Sequence, residues 1–225
     1  MDSSIKISEY FQELSSDFYS KYDKTGVKEH TLKILNYFQR VNLQGMTVVE
    51  IGCGIGGLLI EFLKMNVNFV VGFDLSEKMI KNAKKLSESL KLESNTLFLA
   101  HNFYEFDTQN STVFSEHKPN IIIADRVFCC SPVALEILNK ILTISPDYIV
   151  LVFPRKNFLY RKFWRVKSKI RNLFLKIKSK ISIYYFLESE ITDICNKKGY
   201  KKDFHSYRYV WETVIYKKEM KSNDF

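Results

Sequence analysis

Five short runs of β-branched and aliphatic residues, separated mostly by stretches with helical periodicity, constrain this chain more than any other feature. They are Met46 to Ile51 (MTVVEI), Asn68 to Asp74 (NFVVGFD), Thr96 to Ala100 (TLFLA), Asn120 to Asp125 (NIIIAD) and Asp147 to Phe153 (DYIVLVF). None alternates apolar with polar, so each reads as a strand buried on both faces, as parallel strands are. Between them, Leu58 to Met65, Ser76 to Leu92 with Ser76 as N-cap, and Ala134 to Leu142 opening from Ser131-Pro132 carry helical spacing. Strand and helix in alternation predict a parallel sheet with right-handed crossovers.

The C-terminus breaks that alternation. A helix ending near Gly199 is followed by Lys202 to Arg208 and Tyr209 to Lys217, two strand-like runs with no room for a helix between them. A hairpin adding an antiparallel edge is expected. Upstream of the sheet, residues 5–44 read as mostly helical with a break around Asp23 to Gly26. With no repeat and no low-complexity linker, one domain over 1–225 is expected, with an N-terminal helical lid over about 1–44 and a basic helical cap over about 155–187.

Charge sharpens the second of these additions. The 225 residues carry 34 Lys+Arg and 25 Asp+Glu, a formal +9. Eleven of the cations and none of the acids lie between Arg155 and Lys180, so the rest of the chain has 23 cations against 25 acids. Within that stretch Phe163, Val166, Ile170, Leu173, Phe174, Ile177 and Ile181 recur at three- and four-residue steps, an apolar stripe flanked by cations. A cap over the active site is the first reading. An anionic membrane surface is the second, and a nucleic-acid clamp is disfavoured because the stripe is too apolar for a phosphate-tracking face.

The four cysteines, Cys53, Cys129, Cys130 and Cys195, have no CxxC spacing, and His30, His101, His117 and His205 are scattered. No metal site is expected. The N-terminus lacks the layout of a signal peptide and no apolar run approaches the ~18 residues of a membrane span, so a cytoplasmic protein, in peripheral contact with a membrane at most, is expected.

The chemistry is concentrated where the first strand ends. Glu50-Ile51-Gly52-Cys53-Gly54-Ile55-Gly56-Gly57 follows a strand and opens a helix, a place where glycines let a ligand approach the backbone and amides face an anion. Asp74 ends the second strand, 20 residues after Gly54, where a carboxylate can accept from both hydroxyls of a ribose. A nucleoside-containing cofactor is implied. Gly52, Gly54 and Gly57 also satisfy the G-x-G-x-x-G of dinucleotide-binding folds, but Glu50 beside the loop suits a cationic ligand better than a pyrophosphate.

At these residues the chain resembles the class I S-adenosylmethionine-dependent methyltransferases. Their E/D-x-G-x-G-x-G loop matches Glu50 to Gly56, and their acidic end of the second strand matches Asp74. The resemblance implies a Rossmann-like α/β fold with a mainly parallel seven-stranded sheet, a C-terminal antiparallel hairpin, and S-adenosyl-L-methionine as cofactor. It makes Gly52, Gly54 and Gly56 the loop around the methionyl part, Asp74 the ribose ligand and Leu75 an apolar neighbour of the adenine. Asn102 stands where an adenine-binding acid is common, Phe103 is placed to stack on the base, and Asp125 lines the methyl-donor pocket. The run Ala124 to Pro132 and Tyr209 to Val214 are similar to the small branch of magnesium-protoporphyrin O-methyltransferases, although that branch often has a histidine where this chain has Cys130-Ser131.

The expected activity is methyl transfer to a small-molecule or lipid-like acceptor by in-line displacement, and the cationic segment suits an anionic acceptor. An RNA methyltransferase and a membrane-associated, non-catalytic cofactor-binding protein are the alternatives. No residue is assigned a catalytic role.

Overall fold

The structure is a computed structural model that describes residues 3–27, 29–155 and 184–219. The stretch read as a basic cap or membrane helix lies, apart from Arg155 and its last residues from Tyr184, outside the described residues. The elements run α1 (Ser3–Thr25), α2 (Glu29–Phe38), β1 (Thr47–Ile51), α3 (Gly57–Lys64), β2 (Phe69–Asp74), α4 (Glu77–Ser89), β3 (Thr96–Ala100), α5 (Thr112–Glu116), β4 (Ile121–Asp125), α6 (Ala134–Ile144), β5 (Tyr148–Pro154), α7 (Glu188–Asn196), β6 (Tyr200–Arg208) and β7 (Trp211–Lys218). Among the described residues the expected strands and the helices between them are present. The five-residue α5, capped by Ser111, falls in a stretch whose sequence shows no helical period.

One seven-stranded sheet, ordered β3-β2-β1-β4-β5-β7-β6, organises the molecule. β1 to β5 pair in parallel, and β7 enters antiparallel between β5 and β6. The fold class expected from the sequence, a Rossmann-like sheet with a C-terminal antiparallel hairpin, is the one observed. Every residue of β1, β4 and β5 is buried, as their unbroken apolar runs require.

Two apolar layers cover the sheet. On one face Ile122, Ala124 and Leu151 pack with Ile137, Leu138 and Ile141 of α6 and with Ile191 and Cys195 of α7. On the other, Val48, Val70, Ile121 and Val150 pack with Ile34 and Phe38 of α2 and with Leu59 and Phe62 of α3. Helix α1 forms a second layer outside α3 and α4, where Tyr10 and Leu14 meet Ile55, Ile60, Met79 and Leu86. Each interior aliphatic side chain removed from water in these layers contributes roughly 1.5–3 kcal/mol.

The hairpin is longer than the sequence pattern suggests. β6 starts at Tyr200, whose buried hydroxyl donates to the Pro146 carbonyl at 2.6 Å, and only Tyr209 and Val210 separate the strands. Tyr209 holds φ 53°, a left-handed backbone without glycine or asparagine. Among the described residues no helix is long and apolar enough to cross a membrane.

Candidate functional site

The strand order reverses between β1 and β4, and in open α/β sheets ligands bind outside the carboxyl ends of the strands at such a reversal. The loop from Gly52 to Gly56 occupies that place. Gly52, Gly54 and Gly56 all have positive φ, at 71°, 55° and 75°. A Cβ on Gly52 would come within 2.5 Å of Val127 Cγ2, and one on Gly56 within 2.8 Å of the Phe98 ring, so both positions demand glycine for conformation and for space. Gly54 differs: its nearest obstacle is Met79 Sδ at 4.0 Å, which leaves open the side that the loop turns outward. The amides of Gly52 and Cys53 donate to the Phe73 carbonyl at 2.7 and 2.9 Å and tie the loop to β2. No side chain caps the N-terminus of α3, so the helix presents its first-turn amides at the loop.

Asp74 is bound into this loop. Its Oδ2 accepts from the Gly54 amide at 2.8 Å and its Oδ1 from the Ser76 amide at 2.9 Å. Burial pushes its carboxyl up to about 6, although the Ser76 and Gly54 amides favour the ionised form. A carboxylate offers about four lone-pair positions, so these amides leave it capacity for a hydroxyl donor. Ser76 also caps α4 by accepting from the Met79 amide at 3.3 Å.

Glu50 is the unusual group. It sits inside β1, only 4% exposed, and its Oε2 is the one buried side-chain polar atom without a hydrogen-bond partner among the described residues. Burial, followed by the nearby Asp125 carboxylate, drives its carboxyl well above the usual range, while Arg126 pulls the other way. A buried polar atom left unbonded costs about 1–3 kcal/mol, so its persistence in a native strand needs an explanation outside the empty fold.

Asp125 ends β4 and is buried on the face that carries Glu50. Arg126 Nε donates to its Oδ1 at 3.0 Å, and Thr31 Oγ1 of α2 donates to its Oδ2 at 3.4 Å. Arg126 itself has φ 62°, and its guanidinium lies 5.8 Å from the centre of the Trp211 ring, on β7. Thr31 and Arg126 thus meet at Asp125, with Trp211 beside Arg126; the sequence places Arg126 at this strand end but does not bring Thr31 or Trp211 to it. The signal available for Arg126 was its position directly after a strand-ending acid.

The remaining expected residues are arranged differently. Leu75 is half-buried, and its carbonyl accepts from Ser8 Oγ of α1 at 2.9 Å, which draws the N-terminal helix to the edge of the site. Tyr22 of α1 lays its ring against Gly57, where a Cβ would sit 2.7 Å from it, and its hydroxyl donates to Glu61 Oε1 at 2.9 Å. Asn102 closes a turn: its Oδ1 accepts from the Tyr104 amide at 3.1 Å and its Nδ2 donates to Glu105 Oε1 at 2.8 Å. Phe103 is 3% exposed, edge-on to Phe73 at 5.3 Å, with Lys140 Nζ 5.7 Å from its ring centre. Its ring is a core ring, and the stacking position expected for it is taken up by that packing. The thiols of Cys129 and Cys130 lie 2.9 and 3.6 Å from the Arg126 carbonyl, and neither forms a disulfide.

The donor set fits the cofactor implied by the resemblance. A nucleoside needs the carboxylate of Asp74, the backbone approach needs the left-handed glycines, and a sulfonium or ammonium needs an acid such as the unbonded Glu50.

Comparison with known proteins agrees with this arrangement. A family model described as a methyltransferase domain matches residues 42–222. The chain is 35% identical over 79 residues to the ribosomal protein L11 methyltransferase of Photorhabdus laumondii, and 34% identical over 87 residues to the ubiquinone biosynthesis O-methyltransferase of Coxiella burnetii. These stretches are 35% and 36% of this chain, and they span only 27% and 37% of the two relatives. The fold superimposes on the crystal structure of magnesium protoporphyrin IX methyltransferase from Synechocystis PCC 6803 with bound SAH, with a TM-score of 0.71 at 21% identity, covering 97% of this chain and 100% of that one. With the domain model spanning the whole sheet and the glycine loop, Asp74 and Glu50 standing at its reversal point, the chain belongs to the methyltransferase-domain family, and its fold is similar to that of magnesium protoporphyrin IX methyltransferase.

Proposed function

We propose that this protein transfers a methyl group from S-adenosyl-L-methionine to a small-molecule or lipid-like acceptor that carries an anionic group. The observation that carries the reading is the unbonded, buried Glu50 Oε2 beside a left-handed glycine loop that Asp74 grips through the Gly54 amide.

Bound there, the cofactor supplies a methyl group that is already electrophilic. The work of the chain is alignment and exclusion of water, which together account for several kcal/mol of a displacement barrier. Gly52, Gly54 and Gly56 hold the methionyl end close to the backbone, and Glu50 offers its free oxygen to a positive charge. Asp74 accepts from the ribose hydroxyls with the capacity its backbone partners leave. Leu75 flanks the adenine and Asn102 meets its edge, while Phe103 supports Phe73 from beneath. Asp125, fixed by Arg126 and Thr31, closes the donor pocket on the acceptor side. Helix α1, drawn in by Ser8 and Tyr22, covers the edge of the site as a lid. An acceptor that arrives as an anion needs no base.

The relatives named for small molecules support a small acceptor: the structural likeness to the Synechocystis enzyme named for magnesium protoporphyrin covers 97% of this chain, and the sequence match to the enzyme named for ubiquinone biosynthesis covers 36% of it.

Calorimetric titration with S-adenosylhomocysteine and, in parallel, with NADH tests the cofactor assignment. Saturable binding of S-adenosylhomocysteine without NADH binding is expected. The reverse pattern overturns it.

A further inference from the structure

The tip of the β6–β7 hairpin carries a surface that methyl transfer does not use. Tyr207 and Tyr209 are 61% and 68% exposed, two large rings within three residues, whereas exposed apolar groups on ordinary protein surfaces are scattered singly. Each ring has a guanidinium over it: Arg155 lies 4.5 Å from the centre of Tyr207 and Arg208 5.1 Å from that of Tyr209. Leu32 of α2 is exposed nearby in sequence to the groups that brace the tip.

The tip is held firmly. Lys33 Nζ of α2 donates to Ser206 Oγ at 2.5 Å and to the Tyr207 carbonyl at 3.3 Å, and Arg208 pairs with Glu29. The Arg155 amide donates to the Val210 carbonyl at 2.8 Å. Tyr209 keeps its left-handed backbone within this frame, a conformation that is costly for a bulky residue and tends to be retained where a side chain must be presented.

Its place in the fold gives the surface meaning. Pro154, the last residue of β5, pairs with Trp211, so the tip projects beyond the carboxyl ends of the strands, the same end as the glycine loop and Asp125. Amphipathic rings with cations at their faces suit the boundary between water and hydrocarbon, where tyrosine sits at headgroup level and arginine meets lipid phosphate. Lys33, Arg155 and Arg208 supply the positive charge, against Glu29, and Arg155 opens the sequence stretch that holds eleven cations and no acid.

We infer that the hairpin tip docks this protein on an anionic bilayer surface, with Tyr207 and Tyr209 in the headgroup layer and the mouth of the site turned toward the lipid. An amphiphilic acceptor would then reach the methyl donor without crossing bulk water.

Sedimentation of the full chain with vesicles of phosphatidylcholine alone, and of phosphatidylcholine mixed equally with phosphatidylglycerol, tests this. The wild type pellets with the mixed vesicles only. Arg155→Gln lowers the partition coefficient about fivefold, as expected for one cation near an anionic surface. The double variant Tyr207→Ser, Tyr209→Asn lowers it by roughly tenfold or more; asparagine tolerates the left-handed backbone at 209. Both variants keep the wild-type isotherm for S-adenosylhomocysteine, which shows that they fold. Pelleting of the double variant as wild type, absence of wild-type pelleting with mixed vesicles, or preferential capture by a single-stranded RNA would overturn the inference, and none of these would touch the cofactor assignment.

Discussion

Two buried glutamates, one in the central parallel strand β1 and one in the antiparallel strand β7, show how differently this fold treats a charge. Glu50 in β1 and Glu212 in β7 are 4% and 8% exposed. Glu212 receives His205 Nε2 at 2.7 Å across the hairpin, whereas Glu50 Oε2 receives nothing. The paired acid belongs to the scaffold: its bond crosses the β6–β7 ladder and is complete in the empty protein. The unbonded oxygen lies beside the glycine loop, where the proposed function gives it a cationic partner. Burial alone would not have separated the two roles; hydrogen-bond completion does.

The largest effect expected from breaking this comparison is at the loop beside Glu50. Gly56→Ala forces a Cβ into the Phe98 ring at a backbone of φ 75°. It should destabilise the protein by about 2–4 kcal/mol, combining left-handed strain with overpacking, as read by urea unfolding with the variant and wild type compared at constant m. A fold that absorbs the methyl group without loss would mean that the loop is not the rigid cradle described.

Asp74→Ala should weaken S-adenosylhomocysteine by about 1.5–3 kcal/mol, the loss of hydrogen bonds to a charged group. Its pH dependence has two signs. The folded carboxyl is raised from 3.8 to about 6, so it stabilises the empty fold below the unfolded value, and that contribution disappears as pH rises through about 6. Ribose hydroxyls donate to the ionised form, so affinity for the cofactor should rise over the same interval. Thermal unfolding of wild type minus Asp74→Asn, across pH 4 to 7, should therefore show the stability difference shrinking while calorimetry shows affinity growing. Parallel trends in the two would exclude this assignment.

The smallest effect divides the glutamates themselves. Glu212→Gln should cost about 1 kcal/mol by weakening the bond to the half-exposed His205. Glu50→Gln should leave the stability of the cofactor-free protein within about 0.5 kcal/mol or raise it, since a buried acid with one unbonded oxygen is exchanged for a neutral amide, while affinity for S-adenosylhomocysteine falls. Equal destabilisation by both substitutions would erase the distinction between them.

Much of the fold was legible before the structure. Strands buried on both faces announce themselves as unbroken runs such as NIIIAD, and Ser76 marks a helix start because its side chain satisfies an otherwise orphaned amide. The glycine loop and Asp74 were legible because their spacing is local: one turn follows one strand, and one acid ends the next. Arg126 with Asp125, Tyr22 on Gly57 and His205 with Glu212 were not. Tyr22 and Gly57 lie 35 positions apart and meet only because α1 lies on α3 and α4. Asn102 and Phe103 look alike from the sequence as residues after a strand, yet one closes a turn at the surface and the other joins the core, a choice set by which way the chain leaves β3.

The sequence by itself determined the element order, the parallel core with its antiparallel end, and the nucleoside-binding character of the first turn. These depend on periodicity and on short-range backbone demands that every residue carries with it. Only the tertiary structure decided which buried acid keeps an unbonded oxygen, which aromatic is core, and that the hairpin tip with its two tyrosines stands beyond the carboxyl ends of the parallel strands. Those properties arise from strands distant in sequence laid side by side, where hydrogen-bond completion and exclusion of water are settled by neighbours the local sequence does not name.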